Sequence, residues 1–185
     1  MTLDKPKPIP ATVTMLEMTK PFTKSYSRPS NIQIMLLRSD KLPLHFYRYL
    51  QDCVGRQWTW TARLRLNDED LSAIIHADTT DIDVLYVDGS PAGFYEIDRS
   101  DTTRTDLAYF GLMDHAIGRG IGKWFLAQAI SAAWENEPNS VSVNTCTLDH
   151  PSALGLYQKL GFQVYAQTTS NFLPLSEDEQ KNIYK

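Results

Sequence analysis

The chain has 185 residues, 42 % hydrophobic and 22 % charged, with a formal charge of -4, the make-up of one ordinary domain able to bury a core. The charge is uneven, nine basic against four acidic side chains over residues 1–56 and four against eleven over 57–113, but Lys5, Lys7, Lys20, Lys24 and Arg28 are scattered and form no basic stripe between aromatics, which excludes nucleic acid as the expected partner. With two cysteines and no C-x-x-C spacing, no apolar run near the roughly 18 residues of a membrane span, and a polar start "MTLDKPKPIP", the expectation is a reduced cytoplasmic protein with no membrane partner.

In chain order, residues 1–10 carry three prolines and read as an extended N-terminal arm. The alternation in "ATVTMLEMTK" predicts a first strand, and "KPFTKSYSRPSN" a loop. "LPLHFYRYLQDCVG" places Leu44, Tyr47, Leu50 and Val54 at helical spacing, with Gly55 as the stop. "NDEDLSAIIHA" opens on Asn67, an N-cap residue, with acids suited to the first turn of a short helix. "DVLYVDGSPAGFYEID" is a hairpin around Asp88-Gly89, its turn lengthened by Ser90 and Pro91. A strand "TDLAYFGLM" leads into a glycine turn and then a helix, "KWFLAQAISAAWENE", with Leu126, Ala129, Ile130 and Ala133 on one face. There follow a strand "SVSVNTCTL", a helix "PSALGLYQKL" with Pro151 in its first turn and Gly161 past its end, and a last strand "FQVYAQTT". Residues 172–185 read as a peripheral tail. This order predicts a single α/β domain over residues 1–185, a mixed sheet with helices on both faces.

The glycine turn, "HAIGRGIGKW", carries Gly118, Gly120 and Gly122 next to Arg119 and Lys123. A strand passing through glycines into a helix leaves amides unpartnered, and those amides with the helix dipole attract a phosphate. A P-loop would need glycine at Ile117 and a hydroxyl at Trp124, and the dinucleotide fingerprint would need glycine at Lys123, so neither applies. What remains is a pyrophosphate held by amides without a metal. The histidines His45, His76, His115 and His150 show no metal-ligand spacing, and Cys146, inside a strand, reads as a small buried hydrophobe.

"GRGIGKWFLAQAI", followed some thirty residues later by "HPSALGLYQKLGF", resembles the two signature segments of the GNAT superfamily of acetyl-CoA-dependent N-acetyltransferases, over roughly residues 84–166. The resemblance implies a mostly antiparallel mixed sheet and direct acetyl transfer from acetyl-CoA to an amine of a small molecule, peptide or protein. It assigns Ile117, Gly118, Arg119, Gly120, Ile121, Gly122 and Lys123 to the pyrophosphate, Ile117 through its backbone amide, and the amide of Leu112 or Met113 to the acetyl carbonyl. His150, where the family often has Asn, and Ala153 are assigned to the cofactor arm, and Tyr157 to the general acid for the thiolate. A base for the amine is expected at Glu96, which alternation puts on the face of Phe94, with Asp106 as rival. Trp58 and Trp60, on one side of an extended segment, are expected to border the acceptor. The alternative is an acyl-CoA-binding sensor or interaction module without turnover. Assembly stays open, a homodimer among the options.

Overall fold

The computed structural model describes residues 6–21 and 23–184. Its strands are β1 (Ile9–Met18), β2 (Ile34–Arg38), β3 (Thr80–Val87), β4 (Ser90–Asp98), β5 (Arg104–Leu112), β6 (Ser140–Cys146) and β7 (Gln163–Phe172). The helices are α1 (Leu44–Gly55), α2 (Asp68–Ile75), α3 (Gly122–Ala133), α4 (Ala153–Lys159) and α5 (Glu177–Asn182). One seven-stranded sheet runs β2-β3-β4-β5-β6-β1-β7, antiparallel throughout except where β5 meets β6. That parallel pair is joined by α3, the crossover such a pair requires.

Alternation sorts the core into two layers. Tyr95, Ile97, Leu107, Val141 and Val143 face the α3 and α4 side with Phe125, Leu126 and Ile130. Val84, Phe94 and Met113 face the other side with Tyr47, Leu50 and Val54 of α1 and Leu71 and Ile75 of α2. Asn67 caps α2 by accepting the Asp70 N–H at 2.8 Å, satisfying one of the amides that every helix start leaves over.

Several expectations are corrected. The first strand begins at Ile9, inside the supposed arm, whose residues 1–5 lie outside the described residues. Strand β2, unexpected from the sequence, pairs with β3 at the sheet edge. The hairpin turn is two residues long, Val87 facing Ser90, because Asp88 and Gly89 both take positive φ, 50° and 82°, the pairing that matches strand twist. The extra residue is absorbed instead as a register shift beyond Tyr86. Pro151 precedes α4 rather than lying in it. The tail is a brace: Ser176 and Glu179 form a reciprocal cap that starts α5, Arg65 reaches the Leu173 and Pro174 carbonyls, each at 3.0 Å, and the Tyr184 hydroxyl donates to Asp52 on α1.

Candidate functional site

Strands β5 and β6 pair over only three positions, the last being Asp106 opposite Ser142, and then part. A bulge helps them do so. Glu96 opposes Tyr109 but Ile97 opposes Leu107, leaving Ala108 as an extra residue in β5, and such an insertion bends and twists its strand. Beyond the apex opens a cavity of about 1060 Å³.

The edge of β5 that faces this cavity can be read from the ladder. The Met113 N–H donates to Ala92 O at 2.8 Å, so alternation turns the amides of Gly111 and Tyr109 toward β4 and those of Leu112 and Phe110 toward the gap. Of the two amides expected for the acetyl carbonyl, Met113's is therefore engaged and Leu112's faces the cavity. Phe110, one repeat nearer the apex, offers a second that sequence reasoning missed because the register is not legible in one strand. By the same count from the Thr147 N–H on Thr12 O, Asn144 of β6 turns its backbone groups across the gap.

At the outer end of β5 the chain passes through Gly118 and Gly120 at φ 78° and 77°, a conformation that L residues avoid. A Cβ at either position would meet nothing within 4 Å, so both glycines open on the cavity they line. Among the described residues the N–H groups from Gly118 to Trp124 donate to no backbone acceptor, and α3 begins there with its positive end. This is an anion cradle, and it fits a pyrophosphate. Two assignments within it change, those of Ile117 and Arg119. The Ile117 amide bonds the Asp114 carbonyl at 3.2 Å, so Ile117 contributes side chain to the wall and not an amide. The Ile121 side chain is fully buried in the core, leaving only its amide. The Arg119 guanidinium lies 2.7 Å from Asp88 on the hairpin turn and pulls that carboxyl below its ordinary range. Lys123 lines the cavity with its ammonium 5.3 Å from the Tyr26 ring centre.

Opposite, α4 brings Ala153 and Tyr157 to the wall. His150 precedes it, with Nδ1 accepting the Ser152 N–H at 3.2 Å, which leaves Nε2 for a ligand. The Tyr157 ring stands edge-on to Phe110 and Phe162, and its hydroxyl has no hydrogen-bond partner among the described residues. Burial raises the phenol well above its ordinary range, with Asp149 and Asp106 adding to the shift, so it stays protonated.

The connection from α1 to α2 covers the cavity mouth. It is not extended: a 3-10 turn spans Arg56–Trp58, and Thr59 sits at φ 62°. The two tryptophans consequently part, Trp58 meeting the His150 ring edge-on at 5.4 Å and Trp60 packing on Tyr109 at 5.3 Å. The indole N–H of Trp60 donates to Asp149 at 3.0 Å, while the other oxygen of Asp149 accepts from Thr145 and the Cys146 amide. Trp60 thus ties the β5 bank of the cleft to the β6 bank. It fits because Gly111 has no side chain, since a Cβ there would stand 2.3 Å from Val54 and 3.1 Å from the indole.

Glu96 does lie on the face of Phe94, but it is fully buried and does not reach the cavity wall. One oxygen accepts from Arg63 Nη2 at 2.7 Å and the other accepts the Tyr47 hydroxyl proton. Tyr47 in turn accepts from Gln51 at 2.8 Å. Its place as expected base is corrected for that reason: both oxygens are taken. Asp106 is on the wall, hydrogen-bonded by Ser142 at 2.7 Å. Burial raises its carboxyl above the ordinary value, with the Ser142 bond opposing. Burial also raises the Cys146 thiol, which disfavours the thiolate a nucleophile needs. Among the described residues no group of three or more His, Cys, Asp or Glu is placed to hold a metal, and no helix is long and apolar enough to cross a membrane.

Residues 78–164 match the family model of the acetyltransferase (GNAT) domain. No curated protein sequence matches the chain. Among solved structures, a GNAT-family protein from Novosphingobium aromaticivorans superposes with a TM-score of 0.60 at 17 % identity, over 92 % of this chain and 67 % of its own. A GCN5-related N-acetyltransferase from Kribbella flavida gives 0.56 at 12 %, over 96 % and 63 %. An IAA acetyltransferase from Bacillus cereus gives 0.55 at 20 %, over 72 % and 79 %. The chain spans little more than half of some others, 55 % of a tandem GNAT protein from the clavulanic acid pathway. At these identities the likeness establishes the fold.

Proposed function

We propose that this chain, whose residues 78–164 match the acetyltransferase (GNAT) domain model, moves an acetyl group from acetyl-CoA directly to a primary amine. The observation that supports this best is the continuity of the anion cradle with the splayed edge of β5, one cavity offering amides for a pyrophosphate at its outer end and strand-like groups for an amide-bearing arm further in. Acetyl-CoA supplies the acetyl group already activated as a thioester.

Each residue then has a physical task. Amides of Gly118 to Lys123 hold the pyrophosphate, with Lys123 adding charge. Leu112 and Asn144 bond the arm along the two strand edges, His150 and Ala153 border it, and the Phe110 amide, nearest the apex, polarises the acetyl carbonyl. An alkyl ammonium has a pKa of about 10, so the attacking amine must shed a proton. Asp106 at the apex receives it, its raised pKa bringing it nearer the working range of a base. The Tyr157 phenol, protonated and without a hydrogen-bond partner among the described residues, gives its proton to the departing thiolate. Trp58 and Trp60 border the amine's entrance.

The test is thiol release from acetyl-CoA across a panel of amines, with Tyr157→Phe and Asp106→Asn alongside. A loss of about 10²–10⁴-fold in kcat for each is expected of an acid or base. Acetyl-CoA binding without thiol release from any amine would instead favour the sensor reading.

A further inference from the structure

We propose that Arg63 receives the carboxylate of the acceptor, so that the amine acetylated belongs to an amino acid. This rests on the acetyl-transfer reading above and adds the substrate class.

Arg63 sits in the 3-10 turn Arg63–Arg65 of the cover and lines the cavity. Its guanidinium is held on two sides: Nη2 bonds Glu96 at 2.7 Å, and the charge lies over the Tyr109 ring, 5.6 Å from its centre. Nε is enclosed without an acceptor. Nη1 is neither enclosed nor bonded among the described residues, so it is the arm left facing the cavity. Glu96 cannot carry the arginine away, because its second oxygen is fixed by Tyr47 and Tyr47 by Gln51, all three fully buried. An arginine anchored on a rigid buried carboxylate, with one donor presented to a cavity, is a preorganised anion receptor.

The spacing selects the ligand. Glu96 and Asp98 share one face of β4 and lie two residues apart, about 7 Å, and Asp98 faces Asp106 across the ladder. The floor of the cavity therefore carries carboxylates at the apex and, one strand repeat along β4, the arginine that rests on Glu96. An ammonium over Asp106 and a carboxylate at Arg63 match a zwitterion. A diamine would bring its second cation against the arginine, and a simple alkylamine would leave Nη1 unanswered.

The experiment compares free amino acids with their methyl esters and with the corresponding decarboxylated amines, in thiol release from acetyl-CoA and, without acetyl-CoA, by tryptophan fluorescence of Trp58 and Trp60. The wild type should prefer the free acid over the ester by about 10-fold or more in kcat/KM, as loss of a hydrogen bond to a charged group implies. Arg63→Met combined with Glu96→Gln removes the buried charges together, and Arg63→Lys keeps the pair but withdraws the second arm. In both, the acid-to-ester ratio should fall toward one, chiefly through KM. Equal handling of acid and ester by the wild type, or an unchanged ratio in both variants, overturns the assignment. Fluorescence that separates acid from ester while no amine releases thiol would sink the acetyl-transfer reading and leave the carboxylate site standing.

Discussion

Gly111→Ala tests how the cleft's cover is seated. The position has no unusual φ, so the substitution is purely steric: the new methyl would lie 2.3 Å from Val54 Cγ1 and 3.1 Å from Trp60 Cη2. Real carbon contacts begin near 3.5 Å, and β5 cannot retreat because Gly111 is paired to Phe94 on β4. Either Val54 or the indole must move. Overpacking of this kind destabilises by about 1–3 kcal/mol, which for a chain of this size lowers Tm by about 2–12 °C. Val54→Ala removes the nearer obstacle, so the double variant should be more stable than the sum of the single effects predicts, with a coupling of about 1 kcal/mol. Thermal unfolding of the four proteins by circular dichroism measures the cycle. A Gly111→Ala protein that melts with the wild type, or single effects that simply add, would refute the account of Trp60 resting on a glycine shelf.

Gly120→Ala meets no atom, so only its positive φ is penalised, by about 1–2 kcal/mol; acetyl-CoA affinity by calorimetry should fall further, about 10- to 100-fold, as charge-assisted bonds are lost, and unchanged affinity would argue against the anion cradle. Asp106 must be ionised to act as base and its pKa is raised, so kcat/KM should climb with pH through a midpoint above the ordinary carboxylate value of about 4. Asp106→Asn should erase that limb; its survival would assign the base elsewhere. Glu179 is held at about 2, first by its hydrogen bond from Arg65 and then by the Ser176 amide. A depressed carboxyl stabilises above its unfolded value and loses that contribution as pH falls, so amide-exchange protection across residues 173–183, taken relative to the intrinsic rate at each pH, should fall between about pH 4.5 and 2, and Glu179→Gln should flatten the dependence.

The elements with strong local signals were legible: the Asn67 cap, the Asp88-Gly89 turn and the glycine cradle are each written in a few adjacent residues. Strand β2 was not, because Met35 and Leu37 are apolar yet exposed, which hides the alternation that marks a half-buried strand. The tail's Ser176-to-Glu179 capping box was readable in "SEDE" but its use was not, since Arg65 lies 114 residues from Glu179. Glu96 shows the limit most clearly. Its face followed correctly from alternation, but its fate depended on Arg63 and Tyr47, 33 and 49 residues away, and pairings at that distance leave no mark on the local pattern. Asp106, equally open as a base on sequence grounds, is proposed for that role because it stands where two strands separate, a position no local pattern reveals.

Strand β1 lies between β6 and β7, its partners more than a hundred residues later in the chain. During synthesis it is made more than a hundred residues before either of its ladder partners. Its closure carries a large loop entropy and a high contact order, which slow folding. The bank of the cleft that bears Asn144 is built on this strand, so that bank is not complete until β1 and β6 have paired, and a chain lacking β7 leaves β1 with one bare edge open to wrong partners.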